Sequence, residues 1–189
     1  MSLQLKKYER SRISLNVSEG SYPHFNGMEE LKQYIEKFHG PNIIIFNTIQ
    51  NAACFANYLD KNGCDVLHLS SALTPEDKEC TIAEVIRRLD QRNRYPVNWI
   101  LVVTSCAECG MDFSFRNGFC ELRSYQSYIQ LGRCVNRKNE YQDSTLNTFT
   151  ITEDKFNSNP EFSISQGIFI KMISEKAFQP LTDSQAVTK

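Results

Sequence analysis

The sequence lacks the glycine-rich motifs that nucleotide-binding enzymes commonly carry. It contains no Gly-x-x-x-x-Gly-Lys-Ser/Thr sequence, and therefore no phosphate-binding P-loop. It contains no Gly-x-Gly-x-x-Gly sequence either, which disfavours a dinucleotide-dependent enzyme. Its three histidines lie far apart, and none stands near an acid or a cysteine at metal-ligand spacing. The sequence predicts no metal site.

Long apolar runs and an excess of charge are also missing. The longest apolar runs are Ile43–Phe46 and Trp99–Val103, far short of the ~18 residues of a membrane helix. The first residues show no apolar core or cleavage site, so no signal peptide is expected. The net charge of −1 excludes binding of nucleic acid through overall charge, and any such contact must be local. Seven cysteines without a repeating spacing are expected to be reduced thiols in a cytoplasmic chain with no membrane partner.

The apolar material that is present suffices for a folded core. The chain has 189 residues, of which 41% are hydrophobic and 11% aromatic. We predict a connecting segment over residues 1–24, one main domain over residues 25–155, and a C-terminal helix with a loose tail over residues 156–189.

Strand-like and helix-like patterns alternate along the main domain. Short apolar runs predict strands at Ile43–Phe46, Val66–Leu69, Trp99–Thr104, Phe119–Leu122 and Leu146–Ile151. Helical spacing predicts helices at about Met28–Phe38, Gln50–Asn62, Pro75–Asp90, Tyr125–Arg137 and Ser165–Lys176. This alternation predicts a mainly parallel sheet covered by helices on both faces.

Polar residues follow several of the predicted strands. Ligands of parallel sheets bind at the carboxyl ends of the strands, so these residues are candidates for function. They are Asn47-Thr48, Ser70-Ser71, the segment from Thr104 to Asp112, and Arg123-Ser124.

A second candidate group lies on the predicted helix over residues 125–137. Gln130, Arg133 and Arg137 fall within about 60° of one another on a helix. Two guanidinium groups on one helix face suit a phosphate chain, because each offers a planar fork of donors and a permanent charge. A solvated basic face is the alternative interpretation.

Together these segments resemble the second, C-terminal RecA-like domain of a superfamily-two helicase. The resemblance runs from Asn42 to Lys138 and is carried by a motif IV-like stretch at Asn42–Thr48, a Thr-Pro-Glu-Asp turn at 74–77, a motif V-like Thr104-x-x-x-Glu108-x-Gly110-x-Asp112, and a motif VI-like Gln130–Arg137. The motif V form is most similar to the CRISPR-associated helicase–nucleases of type I interference systems.

The resemblance implies a three-layer RecA-like α/β fold and a role in an ATP-dependent helicase of CRISPR antiviral defence. In such helicases ATP and Mg²⁺ are held mainly by a first RecA-like domain, which becomes the expected partner together with single-stranded nucleic acid, DNA by preference. The present chain, without a P-loop, is expected to be a monomer that is inactive alone.

The same resemblance implies roles for individual residues. Arg137 and Arg133 would act as arginine fingers on the γ-phosphate, and Gln130 would help to order that site. The cofactor-binding residues would be Glu108, Gly110 and Asp112, and Thr48, Ser70 and Thr104 would contact the nucleic-acid backbone.

The motif VI-like segment departs from the family pattern Gln-x-x-Gly-Arg-x-x-Arg. Gly132-Arg133 comes one position early, which puts Cys134 in the place of the first arginine. Either Arg133 reaches the nucleotide from a rotated position or only Arg137 does. As an i,i+4 pair, the two arginines are expected to share a helix face.

Two alternatives remain open. Cys106-x-x-Cys109 after a strand fits a thioredoxin-like redox pair, and with Cys120 and Cys134 it gives enough thiols for a zinc site. A degenerate helicase-like domain that only binds a partner is the other.

Overall fold

The structure, a computed structural model, describes residues 12–17, 21–90, 98–104, 112–157 and 160–175. Its strands are β1 (Ser14–Leu15), β2 (His24–Phe25), β3 (Pro41–Phe46), β4 (Val66–Leu69), β5 (Trp99–Thr104), β6 (Asn117–Glu121) and β7 (Thr145–Ile151). Its helices are α1 (Met28–Ile35), α2 (Ile49–Lys61), α3 (Pro75–Asp90), α4 (Tyr125–Cys134) and α5 (Ser163–Ser174), the last preceded by a 3₁₀ turn at Pro160–Phe162. Among these helices, none is long and apolar enough to cross a membrane.

The described strands form one parallel sheet in the order β1-β7-β6-β3-β5-β4. Strand β2 pairs with the end of β7 at Thr150 and Ile151, the two residues that directly follow the segment paired with β6. The strand β3 is central, because Ile43 pairs with Leu101 of β5 on one side and with Gly118 of β6 on the other. All strands therefore end at one common edge, called here the carboxyl edge, and begin at the opposite amino edge.

Alternating side chains of the central strands pack into two separate cores, one on each face of the sheet. Ile44 and Phe46 point to the face covered by α1 and α2, where Leu31 and Phe55 are fully buried. The other side chains of the strand, such as Ile43, face a second core beneath α3, α4 and α5. Strands buried on both faces explain the nearly continuous apolar runs of the sequence.

The predicted fold class, a three-layer α/β domain with a mainly parallel central sheet, is confirmed. The predicted β4 and β5 have the observed bounds. The predicted connecting segment, residues 1–24, contributes β1 and the first residue of β2, and the two-residue length of these strands gives no usable periodicity.

Helix α4 ends three residues earlier than predicted. Val135 is extended and forms a parallel bridge with Phe115, and Asn136 has a φ of 46°. The apolar spacing continues past Cys134, but the backbone leaves the helix to make this bridge.

Gly118 in β6 allows α4 to lie close to the sheet. A Cβ at this position would stand 2.6 Å from Cγ2 of Val135 and 3.1 Å from both Leu131 and Leu146. Gly118→Ala is expected to lower the free energy of unfolding by about 1–3 kcal/mol, because the core must make room for a methyl group. Urea unfolding measures this.

Gly167 in α5 is the matched control, because nothing lies within 4 Å of the Cβ it would gain. Gly167→Ala should raise stability by about 0.5–1 kcal/mol through helix propensity. Equal effects of the two substitutions would contradict the close approach at Gly118.

Candidate functional site

The sequence-predicted residues fall at two opposite edges of the sheet. Thr48, Ser70 and Thr104 stand at the carboxyl edge, where β3, β4 and β5 end. Helix α4 starts at that edge, after β6, and runs back to the amino edge, where Asp112 and Arg137 lie beside the residues that lead into β6. At about 3.3 Å per residue, the two edges are roughly 17 Å apart. The expectation that Asp112 belongs to the carboxyl edge is therefore wrong.

Arg137 and Asp112 form an ion pair at the amino edge. The Nε of Arg137 donates to Oδ1 of Asp112 over 2.8 Å. The structure thus brings together a predicted arginine finger and a predicted cofactor-binding residue. About half of the arginine side chain and 72% of the aspartate side chain are exposed. An ion pair so exposed contributes about 1 kcal/mol at most, so the guanidinium can exchange this carboxylate for a phosphate at little cost.

The turn that carries Arg137 is organised by the preceding residue, Asn136. Its side chain is fully buried: Nδ2 donates to the carbonyls of Arg12 and Tyr141, both at 2.9 Å, and Oδ1 accepts from the N–H groups of Glu140 and Tyr141. Its backbone N–H donates to Phe115 O over 2.6 Å. Asparagine suits this place, because it tolerates the left-handed backbone and offers both donors and acceptors.

Arg12, which precedes β1, holds the end of α4 by hydrogen bonds. Its Nη1 donates to Val135 O over 2.8 Å and its Nη2 to Gly132 O over 3.1 Å. The buried guanidinium thus donates to two carbonyls at the helix end, of which that of Gly132 also accepts from the N–H of Val135 over 3.4 Å. No sequence signal indicates that Arg12 or Asn136 builds this site, because Arg12 lies outside every motif and Asn136 occupies an unspecified position of the motif VI-like segment.

Two further predicted nucleotide-site residues, Arg133 and Gln130, lie on α4, which ends before Arg137. Arg133 is exposed in the last turn of α4, and Gln130 is half-buried one turn earlier. Because α4 ends at Cys134, Arg133 and Arg137 do not share a helix face, and that expectation is wrong. Glu108 and Gly110 lie outside the described residues.

At the carboxyl edge, the three predicted hydroxyl groups differ in accessibility. Thr48 caps α2, where its Oγ1 accepts from the N–H of Asn51 over 3.1 Å, and it remains partly exposed. Ser70 is 1% exposed, and its hydroxyl hydrogen-bonds with Nε2 of His68 over 3.1 Å. Thr104 is buried at the end of β5. Only Thr48 presents its hydroxyl near the surface.

Glu121, at the end of β6, is a half-buried carboxyl group at the carboxyl edge. Its Oε2 accepts from the N–H of Asn47 over 2.7 Å. Burial raises the pKa of Glu121 to about 7, and the hydrogen bonds from Asn47 and Asn51 offset only part of that rise. The sequence offers no signal for it beyond its place at a strand end, which singled out Asn47 but not Glu121.

The cysteines give little support to metal or redox chemistry in the described part of the chain. Cys120 and Cys134 are buried in the core, and Cys106 and Cys109 lie outside the described residues. The described residues contain no group of three or more potential ligands that could hold a metal ion.

Comparison with known proteins assigns the chain to a family. Residues 39–140, more than half of the chain, match the family described as CRISPR-associated nuclease/helicase Cas3, C-terminal. The chain belongs to this Cas3-like C-terminal family. The match contains every predicted site residue from Thr48 to Arg137, whereas Arg12 and β7 lie outside it. No curated protein sequence matches the chain.

Solved structures show the same fold. T. fusca Cas3 with ATP has a TM-score of 0.68 at 12% identity, covering 94% of this chain and 24% of that one. T. fusca Cas3 with AMPPNP has a TM-score of 0.64 at 13% identity, covering 93% and 22%. The E. coli DEAD-box protein SrmB, bound to regulator of ribonuclease activity A, has a TM-score of 0.53 at 16% identity, covering 69% and 75%.

These comparisons confirm the resemblance to the second RecA-like domain of a Cas3-like helicase. The chain spans about a quarter of the length of the Cas3 structures that it matches. Within the Cas3-like family, the present chain is therefore similar to one part of a larger protein.

The hydrogen bonds of Asn136 can be tested by substitution. Asn136→Ala is expected to lower the free energy of unfolding by about 2–4 kcal/mol, because buried carbonyl and N–H groups lose their partners. Asn139 is the matched control: it also has a positive φ, 53°, but is exposed. Asn139→Ala should cost only about 1 kcal/mol. Similar losses in urea unfolding would contradict the role of the Asn136 side chain.

The burial of Glu121 predicts a pH-dependent stability. A carboxyl whose folded pKa is about 7 and whose ordinary pKa is 4.5 destabilises the fold increasingly as the pH rises from about 4.5 to about 7. Glu121→Gln, which keeps an acceptor for Asn47, should raise the free energy of unfolding by about 2–3 kcal/mol above pH 7. This gain should shrink towards pH 4.5 in urea unfolding at several pH values. The exposed Glu79→Gln should give no such profile.

Proposed function

We propose that the chain is the second motor domain of an ATP-dependent nucleic-acid helicase or translocase in CRISPR antiviral defence. It would work with a first RecA-like domain that supplies the P-loop and holds ATP and Mg²⁺. The observation that carries this proposal is the pairing of Arg137 with Asp112 inside the segment that matches the Cas3-like family. Two motif residues 25 positions apart meet at one exposed point.

At the amino edge, Arg137 is the proposed arginine finger. Its permanent positive charge would stabilise the charge that develops on the γ-phosphate during transfer. Asp112 would hold the guanidinium in place until the nucleotide arrives and would then be free to accept from a ribose hydroxyl. Arg133 and Gln130 are proposed as helpers at the same cleft wall, and Glu108 and Gly110 as further nucleotide contacts.

At the carboxyl edge, the proposed ligand is the backbone of a single strand, with DNA preferred. The hydroxyl of Thr48 would donate to a phosphate oxygen while it continues to cap α2. The buried hydroxyls of Ser70 and Thr104 would fix the ends of β4 and β5, next to the proposed nucleic-acid strand.

The separation of the two edges suits a motor. A change at the nucleotide would act first on Arg137 and on its partner Asp112. In sequence, Asp112 follows β5, which ends at Thr104, and Arg137 follows α4, which starts after the end of β6. Opening and closing of the cleft would thereby move the strand-binding edge relative to the first domain.

Substitution of Arg137 tests the nucleotide half of this proposal. In the protein that includes a first RecA-like domain, Arg137→Ala is expected to lower the rate of ATP hydrolysis by about 10³–10⁵-fold, because the transition state loses its positive charge. Steady-state phosphate release measures this. The 189-residue chain alone should hydrolyse no ATP, because it has no P-loop.

Arg87→Ala is the control, since this arginine pairs with Glu84 on the exposed side of α3, away from Asp112. Its ATPase rate should stay at that of the unmodified protein. Undiminished hydrolysis by a folded Arg137→Ala variant would favour the second candidate function, a helicase-like domain that only binds a partner. This second candidate is favoured by the end of α4 at Cys134, because Arg133 and Arg137 then do not share a helix face.

A further inference from the structure

A cavity of about 340 Å³ opens at the carboxyl edge next to Glu121. It lies beside the first turn of α2, which Thr48 caps, and between the ends of β3, β6 and β7. Polar groups dominate its wall, which also includes the ring of Phe156. The polar side chains that line it are those of Asn47, Asn51, Glu121, Thr150, Thr152, Glu153, Asn157 and Gln166.

The wall of the cavity is rich in acceptors and poor in free donors. Asn47 Nδ2 and Gln166 Nε2 both donate to Leu122 O, over 3.0 and 2.8 Å. The amide of Asn51 exchanges two hydrogen bonds with the backbone of Asn157. The acceptors that face a ligand include the carboxylates of Glu121 and Glu153 and the amide oxygens of Asn47 and Gln166, while the hydroxyls of Thr150 and Thr152 hydrogen-bond with the ring of His24. This excess of acceptors favours a ligand that presents several N–H groups.

One cation that suits a phosphate, Arg123, is adjacent in sequence to the lining residue Leu122. The guanidinium of Arg123 stands 4.0 Å from the centre of the Phe162 ring. A guanidinium stacked in this way keeps its N–H donors in one plane and free to meet a phosphate. A ligand in the cavity that is attached to phosphodiesters would be bound at both its base and its backbone.

We propose that this cavity binds a nucleobase of the single strand, and that it selects guanine through the Glu121 carboxylate. Guanine offers two adjacent donors, N1–H and the N2 amino group, which match the two oxygens of one carboxylate. Adenine and cytosine place a ring acceptor beside their amino group, and thymine has a single N–H between two carbonyls. The inference rests on the proposed contact between the carboxyl edge and a single strand.

The electrostatics of the cavity couple guanine binding to pH. The pKa of Glu121 is raised to about 7 by burial, and only the ionised form accepts both guanine donors. The groups that face it from α2, from the segment after β7 and from α5 are the neutral Asn51, Asn157 and Gln166; the other titratable group of the wall is Glu153, after β7. Affinity for guanine is thus highest above pH 7 and falls as Glu121 becomes protonated below it.

Fluorescence anisotropy with the 189-residue chain tests the proposal. The probes are labelled oligo(dT) strands of about 12 nucleotides that contain either deoxyguanosine or deoxyinosine, which lacks the N2 amino group. Above pH 7, the guanine strand is expected to bind about tenfold more tightly than the inosine strand. This ratio should fall towards one near pH 5.

Two variants of equal charge change separate the cavity from general electrostatics. Glu121→Gln is expected to remove the guanine preference at every pH, while Glu79→Gln, on the exposed side of α3, should retain it. Equal binding of both strands, or an unchanged preference in Glu121→Gln, would overturn the guanine site and leave the strand-binding proposal standing. If neither strand binds with a salt-dependent affinity, the proposed single-strand contact fails, and the guanine site fails with it.

Discussion

The hydrogen bonds of Asn136 hold together the turn after α4. Its side chain bonds to Arg12, near the start of the described residues, and to Tyr141 ahead of β7, while its backbone N–H bonds to Phe115. With these bonds made, the chain must leave the helix at Cys134 and turn sharply before Arg137. The neutral, fully buried amide of Asn136 and the guanidinium of Arg12 thus hold the turn that carries the candidate arginine finger. Its ion pair with Asp112 is exposed and readily exchanged.

The sheet imposes a second constraint, because it places the candidate sites at two opposite edges. Parallel strands buried on both faces leave only their ends for ligands, and here both ends carry candidate sites. The amino edge holds an arginine–aspartate pair suited to phosphate, and the carboxyl edge holds a helix cap, a half-buried carboxyl and an acceptor-rich cavity. In the proposed motor, closure of the cleft at the amino edge would carry the carboxyl edge with it.

Most of the fold follows from local sequence patterns, as β4, β5 and α3 illustrate. Their apolar runs and the Thr-Pro-Glu-Asp start are strong local signals, and the bounds agree with the structure. The end of α4 could not be predicted in the same way, because it depends on the bridge between Val135 and Phe115, twenty residues apart. The pairing of Asp112 with Arg137 depends on the same tertiary contact. Glu121 shows a further limit, since the burial that raises its pKa arises only when three strand ends meet.

Arg12 carries a consequence for where this domain begins. The family match starts at residue 39, yet the guanidinium that satisfies the carbonyls of Gly132 and Val135 comes from a residue 27 positions earlier. A shorter chain trimmed to the recognisable family segment would remove the guanidinium from both carbonyls and leave Asn136 without the Arg12 carbonyl. Its arginine-bearing turn would lose its anchorage even though every motif residue remained. The boundary of the functional unit is thus set by hydrogen bonding to the motif, and it lies upstream of the boundary that sequence similarity draws.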